Sequence, residues 1–388
     1  MIVFTYKMFS DILGILKLPR IASLSTIILG ILFFPWTLYS VFIYGNIAGL
    51  FFATSAFKYT MLFIDSLKEF NSFKISYIVI SAVSMMLSVM VKNNYLIFMI
   101  ALIIYTVAEA LRHRNIQIIL VTCAVIAGFA IQAIVPKLVI EKISGCNLGS
   151  GASSWTWIAM GLHPSDGNVY ADGWYSGRIA AFYENNDYDT KKEAEVSKAE
   201  IKGYIDTYKN DHTSFLSKKV ASQWNNPEFQ CFWITNVRSS DIEKSPVISD
   251  ILSLKGSSPF IAFLNIMQSI ILFGSMLYAV NTLIECTFAG AAVLPLTFIG
   301  GFIFHLFWEG KCQYTLPYFM LLLPLSIIGF YSMAKKLSSV TKKHLYKCGV
   351  FAVILLFIAI IFNRFIILNQ DNKSYKQYRE YTIEQQKL

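Results

Sequence analysis

The sequence predicts an all-α polytopic membrane protein of about nine transmembrane helices, with one α-rich extracytoplasmic domain inserted between spans. Three observations predict it. Apolar residues make up 55% of the chain and charged residues 15%, and mean hydropathy is +0.52, a balance that soluble and disordered chains do not show. Long apolar runs recur on both sides of residues 137–257, each close to the roughly 20 residues that a hydrocarbon core of about 30 Å requires. Residues 137–257 contain no such run and carry nearly half of the charged residues. The predicted boundaries are an N-terminal bundle at 1–136 of about five spans, the polar domain at 137–257, a C-terminal bundle at 258–368 of about four spans, and a polar tail at 369–388.

Taken in order, the leucine and isoleucine spacing in 9–19 predicts an amphipathic interfacial helix. Residues 21–42 form the first span, with a kink at Pro35-Trp36 because proline cannot donate the i→i−4 bond. Tyr44-Gly45-Asn46 is a turn. Spans follow at 47–64, 75–91, 95–111 and 116–136, separated by a polar loop at Asp65 to Lys74, by Lys92-Asn93-Asn94 and by Arg112-His113-Arg114. Beyond the polar domain, spans are predicted at 258–280, 286–307, 315–334 and 348–368. They are connected near Asn281 to Glu285, at Trp308 to Tyr314, and by the lysine-rich loop Lys335 to Lys347.

Basic short loops stay cytoplasmic. The arginine loop at 112–114 and the lysine loop at 335–347 agree on one alternation. It puts the N-terminus in the cytoplasm and 137–257 outside, in a multi-pass protein of the plasma membrane. The same alternation puts Tyr44–Asn46, Lys92–Asn94 and Trp308–Tyr314 on the outer face. The net charge of +9 is accounted for by such loops. Nucleic-acid binding would need basic and aromatic residues mixed on one soluble face, and that pattern is missing, so no nucleic acid is expected as a partner.

Within the polar domain, Thr190-x-x-Glu193 reads as a capping box opening a helix to about Tyr208. Asp211 or Thr213 caps a second helix ending at Gln223-Trp224. Residues 148–185, rich in glycine, serine, tryptophan and tyrosine, read as irregular structure. Cys123, Cys286 and Cys348 fall in or beside apolar spans and read as small core residues. Cys146 and Cys231 share the outer compartment; a bridge between them is the less favoured reading. The sequence carries no metal-ligand spacing and no phosphate-cradling glycine loop, so no metal is expected and a nucleotide-driven pump is disfavoured.

Three clusters carry candidate chemistry. Lys92, Asn93 and Asn94 close an apolar span; a snorkelling end-cap and a phosphate site are balanced readings. Trp308, Glu309, Lys311, Gln313 and Tyr314 suit either an aromatic belt or a headgroup and sugar clamp. Trp155, Trp157, Asp166, Asp172, Trp174, Tyr175 and Arg178 form the third. There Asp166 and Asp172 read as turn carboxylates or general bases, and Arg178 could pair with a phosphate; for each residue taken alone the plain structural reading is favoured. His305 reads as a buried helix residue.

Tyr44-Gly45-Asn46 after a proline-kinked span, Lys92-Asn93-Asn94-Tyr95, and the run Phe307 to Tyr318 together resemble the GT-C membrane glycosyltransferases. The resemblance is to the bacterial branch related to protein mannosyltransferases and aminoarabinose transferases. Trp157 to Leu162, Gly173-Trp174-Tyr175 and Lys219 to Trp224 resemble the outer domain of that branch. The resemblance covers most of the chain. It implies a polyprenyl-phosphate-linked sugar as donor, a glycan or glycoconjugate acceptor, and a lipid environment. It implies that Lys92 and the Lys311 turn approach the donor phosphate. It implies inverting transfer of a hexosyl or pentosyl group, in which a carboxylate base frees the acceptor hydroxyl to attack C1 and expel polyprenyl phosphate. The family carries its catalytic acid in a first outer loop. Here the first outer turn holds no Asp or Glu, as though the N-terminal spans and their acidic loop were lacking. If the chain acts alone, the base must come from Asp166, Asp172 or Glu309.

Two other readings stay open. One is an inactive or fragmentary lipid-sugar binding or assembly subunit, which the missing acidic loop favours. The other is a transporter of lipid-linked sugar, which needs charges deep in the spans. The sequence reading finds few, Arg364 toward the outer end of the last span and Glu285 near an inner turn, and this disfavours the transporter.

Overall fold

The structure, a computed structural model, describes residues 1–42, 44–69, 72–149, 151–164, 172–174, 184–186, 188–209, 211–239, 242–252, 258–285 and 290–338. The protein is an all-helical membrane protein; no strand occurs among the described residues. Four helices or helix runs are long and apolar enough to cross a membrane: Gly45–Glu69, Asn93–His113, Ile116–Ser144 and Pro259–Glu285. Two bent pairs make six if each is one span: Arg20–Leu32 with Pro35–Val41, bent by 62°, and Cys312–Met320 with Leu322–Leu337, bent by 41°. The first bend falls at Pro35, where the sequence predicts it. Two shorter apolar helices, Ile75–Val91 and Val293–Phe307, occupy the positions of two further predicted spans. The predicted span at 348–368, with Arg364 and Cys348, lies outside the described residues, as does Cys286.

The chain divides into two compact units. The first joins Met1–Asn147, Met267–Gly300 and the described stretch from Pro317; the second joins Leu148–Ile266 and Gly301–Leu316. In the first, α1 (Ile2–Ile15) buries Tyr6, Phe9, Ile12 and Leu13 against α2 (Arg20–Leu32) and α4 (Gly45–Glu69). Its apolar stripe thus meets protein. The short α3 (Pro35–Leu38) continues from the bend.

The most extensive pairing is α4 with α5 (Ile75–Val91). Serines recur on one face of α5. Ser81 donates to the Ala56 carbonyl at 3.0 Å and shares a 2.8 Å hydroxyl contact with Thr60, and Ser88 donates to the Gly49 carbonyl at 2.7 Å. Membrane helices have little hydrophobic drive toward one another, so small residues and interhelical hydroxyl bonds hold them close. Helix α6 (Leu96–His113) returns. Helix α7 (Ile119–Ser144) runs on through Pro136, where the sequence reading ends a span and opens the polar domain. A proline removes one backbone bond, and membrane helices tolerate that loss.

In the second unit, α8 (Ser154–Leu162) stands where irregular structure is expected, capped by Ser153. It packs on α9 (Thr190–Thr207). The capping box is not formed: Asp189 caps α9 through the Lys191 and Lys192 amides. Glu193 is fully buried and accepts from the Thr156 hydroxyl instead. Of the two caps the sequence offers, Asp211 rather than Thr213 caps α10 (His212–Trp224). Helices α11 (Cys231–Arg238) and α12 (Pro246–Leu252) follow. Helix α13 (Ser258–Glu285) runs unbroken through Asn281, where a connection is expected. Helices α14 (Val293–Phe307), α15 (Cys312–Met320) and α16 (Leu322–Ser338) complete the described chain. Cys146 is exposed and Cys231 buried, and both are free thiols.

Candidate functional site

In the first unit, two of the predicted polar turns meet. Helix α4 starts one residue after Tyr44, and α5 ends one residue before Lys92. The Lys92 ammonium donates to the Asn46 side-chain oxygen and sits 4.2 Å from the centre of the Tyr44 ring. Asn46 is fully buried and Lys92 half-buried. The Tyr95 hydroxyl donates to the Asn46 carbonyl at 2.5 Å, and the Tyr318 hydroxyl donates to the Asn94 carbonyl at 3.3 Å. The ammonium thus touches a neutral amide and an aromatic face. Asn93 is exposed and Asn94 half-buried.

Close approach of α4 to Tyr95 requires glycine at position 49. A Cβ there would lie 2.0 Å from Tyr95 Cε2. Gly49→Ala is therefore expected to lower stability by about 1–3 kcal/mol through overpacking. Gly14→Ala faces open space and is expected to raise it by about 0.5–1 kcal/mol through helix propensity. Thermal unfolding of the two variants in detergent, side by side, checks both signs.

The same unit holds an apolar cavity of about 560 Å³ whose lining includes Met276, Tyr278, Leu283, Pro295, Ile299 and Leu325. Its wall is almost wholly hydrocarbon, suited to an alkyl or isoprenoid chain.

In the second unit the predicted clamp residues pack closely. Glu309 is 2% exposed and pairs with Lys311 at 3.1 Å. The Lys311 ammonium lies 5.3 Å from the Trp174 ring centre and 6.0 Å from that of Tyr314. Trp308 stacks between Phe304, at 4.8 Å, and Trp157, at 6.0 Å. Gln313 is half-buried and Asp172 partly exposed. His305 is fully buried, beside Phe304, Trp224 and Tyr314. Asp166, Tyr175 and Arg178 lie outside the described residues.

The residue that organises this unit is one the sequence reading leaves out of its site list. Lys219 on α10 has no exposed surface. Its ammonium donates to the carbonyls of Gly161, of Leu306 at 2.9 Å and of Trp308 at 2.9 Å. These carbonyls close the C-terminal ends of α8 and α14, where the last turn of a helix lacks intrahelical donors and carries the negative end of the dipole. One lysine thus caps two helices with all three of its N–H bonds. Burial pulls its pKa down to about 7, against the upward pull of Asp172 and Glu309. Three acceptor carbonyls around the nitrogen favour the charged form. Gly173, at φ +80°, lies against the lysine stem, where any side chain would collide with it. The available signal was a lysine at the i+4 position between Phe215 and Gln223 on the buried face of α10.

No family model, no curated protein and no solved structure matches this chain.

Proposed function

We propose that the chain is a membrane glycosyltransferase of GT-C type, moving a sugar from a polyprenyl-phosphate donor to a glycan or glycoconjugate acceptor on the outer face of the plasma membrane. The observation that carries this reading is the meeting of the Tyr44–Asn46 and Lys92–Asn94 turns, which holds a charged lysine between an amide and an aromatic ring. Such a cation suits the phosphate that a polyprenyl-linked sugar both presents and releases. The apolar cavity in the same unit suits the polyprenyl tail. The acceptor hydroxyl loses its proton to a carboxylate and attacks C1, and the C1–O bond to phosphate breaks as Lys92 offsets the growing negative charge.

A second reading gains from one observation. The sequence reading disfavours a transporter for want of charges deep in the spans, but Lys58, near the middle of α4, pairs with Asp11 at 2.8 Å. An intramembrane ion pair is a frequent mark of a transport path.

Liposomes carrying the purified full chain and a polyprenyl-phosphate hexose separate the readings. Glycosyl transfer is expected to release polyprenyl phosphate when an acceptor glycan is supplied. Transbilayer movement of intact donor without release would favour the transporter, and neither event would favour the assembly subunit.

A further inference from the structure

The Lys58–Asp11 pair does not stand alone. Along α4, Lys58, Asp65 and Glu69 lie on one face, at i, i+7 and i+11. At 1.5 Å per residue, Lys58 is about 16 Å from Glu69 along the axis. The stripe therefore leads from the helix end into the middle of a candidate span. A cavity of about 810 Å³ follows it, walled by α4, by Asp11 and Gly14 of α1, and by Arg20 and Lys74. Lys58 and Asp11 keep 17% and 21% of their side-chain surface exposed, so the pair faces this space rather than being sealed. A Cβ built at Gly14 meets nothing within 4 Å.

The charges in the wall decide what fits. Lys58 is committed to Asp11, and Lys17 to Glu69 at 2.5 Å. Two cations and one anion remain. Among the described residues, Arg20 has no carboxylate partner, Lys74 lies over the Tyr77 ring, and Asp65 has no ion pair. A planar guanidinium and an ammonium lining one cavity match the oxygens of a phosphate, and a carboxylate in the same lining accepts from a hydroxyl or an amine. A cavity of this size with both features is larger than any simple ion needs.

We infer that this cavity is a binding site for a phosphate ester bearing hydroxyl or amine groups, with Arg20 and Lys74 taking the phosphate and Asp65 the hydroxyl or amine. The site lies at the end of the bundle predicted to face the cytoplasm. It shares no residue with the turns assigned to glycosyl transfer, so the two proposals stand or fall separately. The same head chemistry occurs on a membrane phospholipid and on a free sugar or glycerol phosphate.

The test uses the full chain in a neutral maltoside detergent, with two probes. Glycerol 3-phosphate represents the free ester. Dihexanoyl phosphatidylglycerol below its micelle concentration represents the lipid head. Isothermal titration is expected to show saturable binding of at least one. Binding of glycerol 3-phosphate identifies a free ester as the ligand class; binding of the short-chain lipid alone identifies a headgroup. The double variant Arg20→Gln/Lys74→Gln, at exposed positions, is expected to weaken that binding by at least about tenfold, the effect of losing charged hydrogen bonds. Gly14→Leu leaves every charge in place, projects an apolar side chain into the cavity, and is expected to weaken binding as well. Helical content and melting temperature should match the unaltered protein in both. No saturable binding of either probe, or equal affinity in the folded variants, overturns the inference.

Discussion

Lys219→Met is expected to be the most damaging single substitution in the second unit, lowering its stability by about 3–5 kcal/mol, as removal of one member of a buried charged network does. Methionine matches the lysine stem in length, so little packing is lost and the effect isolates the ammonium. What remains are the Gly161, Leu306 and Trp308 carbonyls, buried with no donor. Each buried orphan costs about 1–3 kcal/mol. Asp172 and Glu309 lose a nearby positive charge as well. Lys219→Arg should fail too, because Gly173 already lies against the lysine stem and a guanidinium is wider. Trp157, Trp224 and Trp308 belong to this unit, so tryptophan fluorescence during thermal unfolding in detergent reads the loss directly. If Lys219→Met melts with the unaltered protein but loses transfer activity, the lysine serves a ligand and the capping role is wrong.

The reach of sequence reasoning here follows from the range of the forces involved. Apolar runs, the bend at Pro35 and the Asp211 cap were legible because each is a local matter of a few consecutive residues. Glu193 shows where locality misleads. Its spacing from Thr190 fits a capping box, but a tertiary partner, Thr156, takes the carboxylate and buries it. Lys219 was hidden for a different reason. Its partners are backbone carbonyls, as many as 89 residues away, and a carbonyl leaves no trace in residue type. Lys58 was passed over because its partner Asp11 is 47 residues earlier, on a helix expected at the membrane surface. Of the candidate site, the pairing of two polar turns was foreseeable from topology, since both were assigned to one face. That Asn46 and Tyr44 are what hold Lys92 was not, because only the close contact of α4 with α5 brings them together.

Lys92→Ala is expected to lower kcat/KM for transfer from a polyprenyl-phosphate sugar by about a hundredfold, while leaving the melting temperature nearly unchanged. The two halves of that expectation have different origins. Stability changes little because Lys92 is half-buried at a helix end, where contacts such as its amide bond and its ring contact are modest when water can replace them. Transfer suffers more because the departing phosphate gains negative charge as C1–O breaks. A charged hydrogen bond to it contributes about 1.5–3 kcal/mol, or about one to two factors of ten. Lys92→Arg keeps the charge but exchanges a point donor for a planar fork, and should recover part of the rate. Asn46→Ala keeps the ammonium and removes the group that aims it, so it should raise KM more than it lowers kcat. Release of polyprenyl phosphate, measured for the three variants at saturating acceptor, tests the order Lys92→Ala below Asn46→Ala below the unaltered chain. Equal rates in all three would detach the phosphate from this corner of the fold and leave Lys92 as an anchor at the membrane surface.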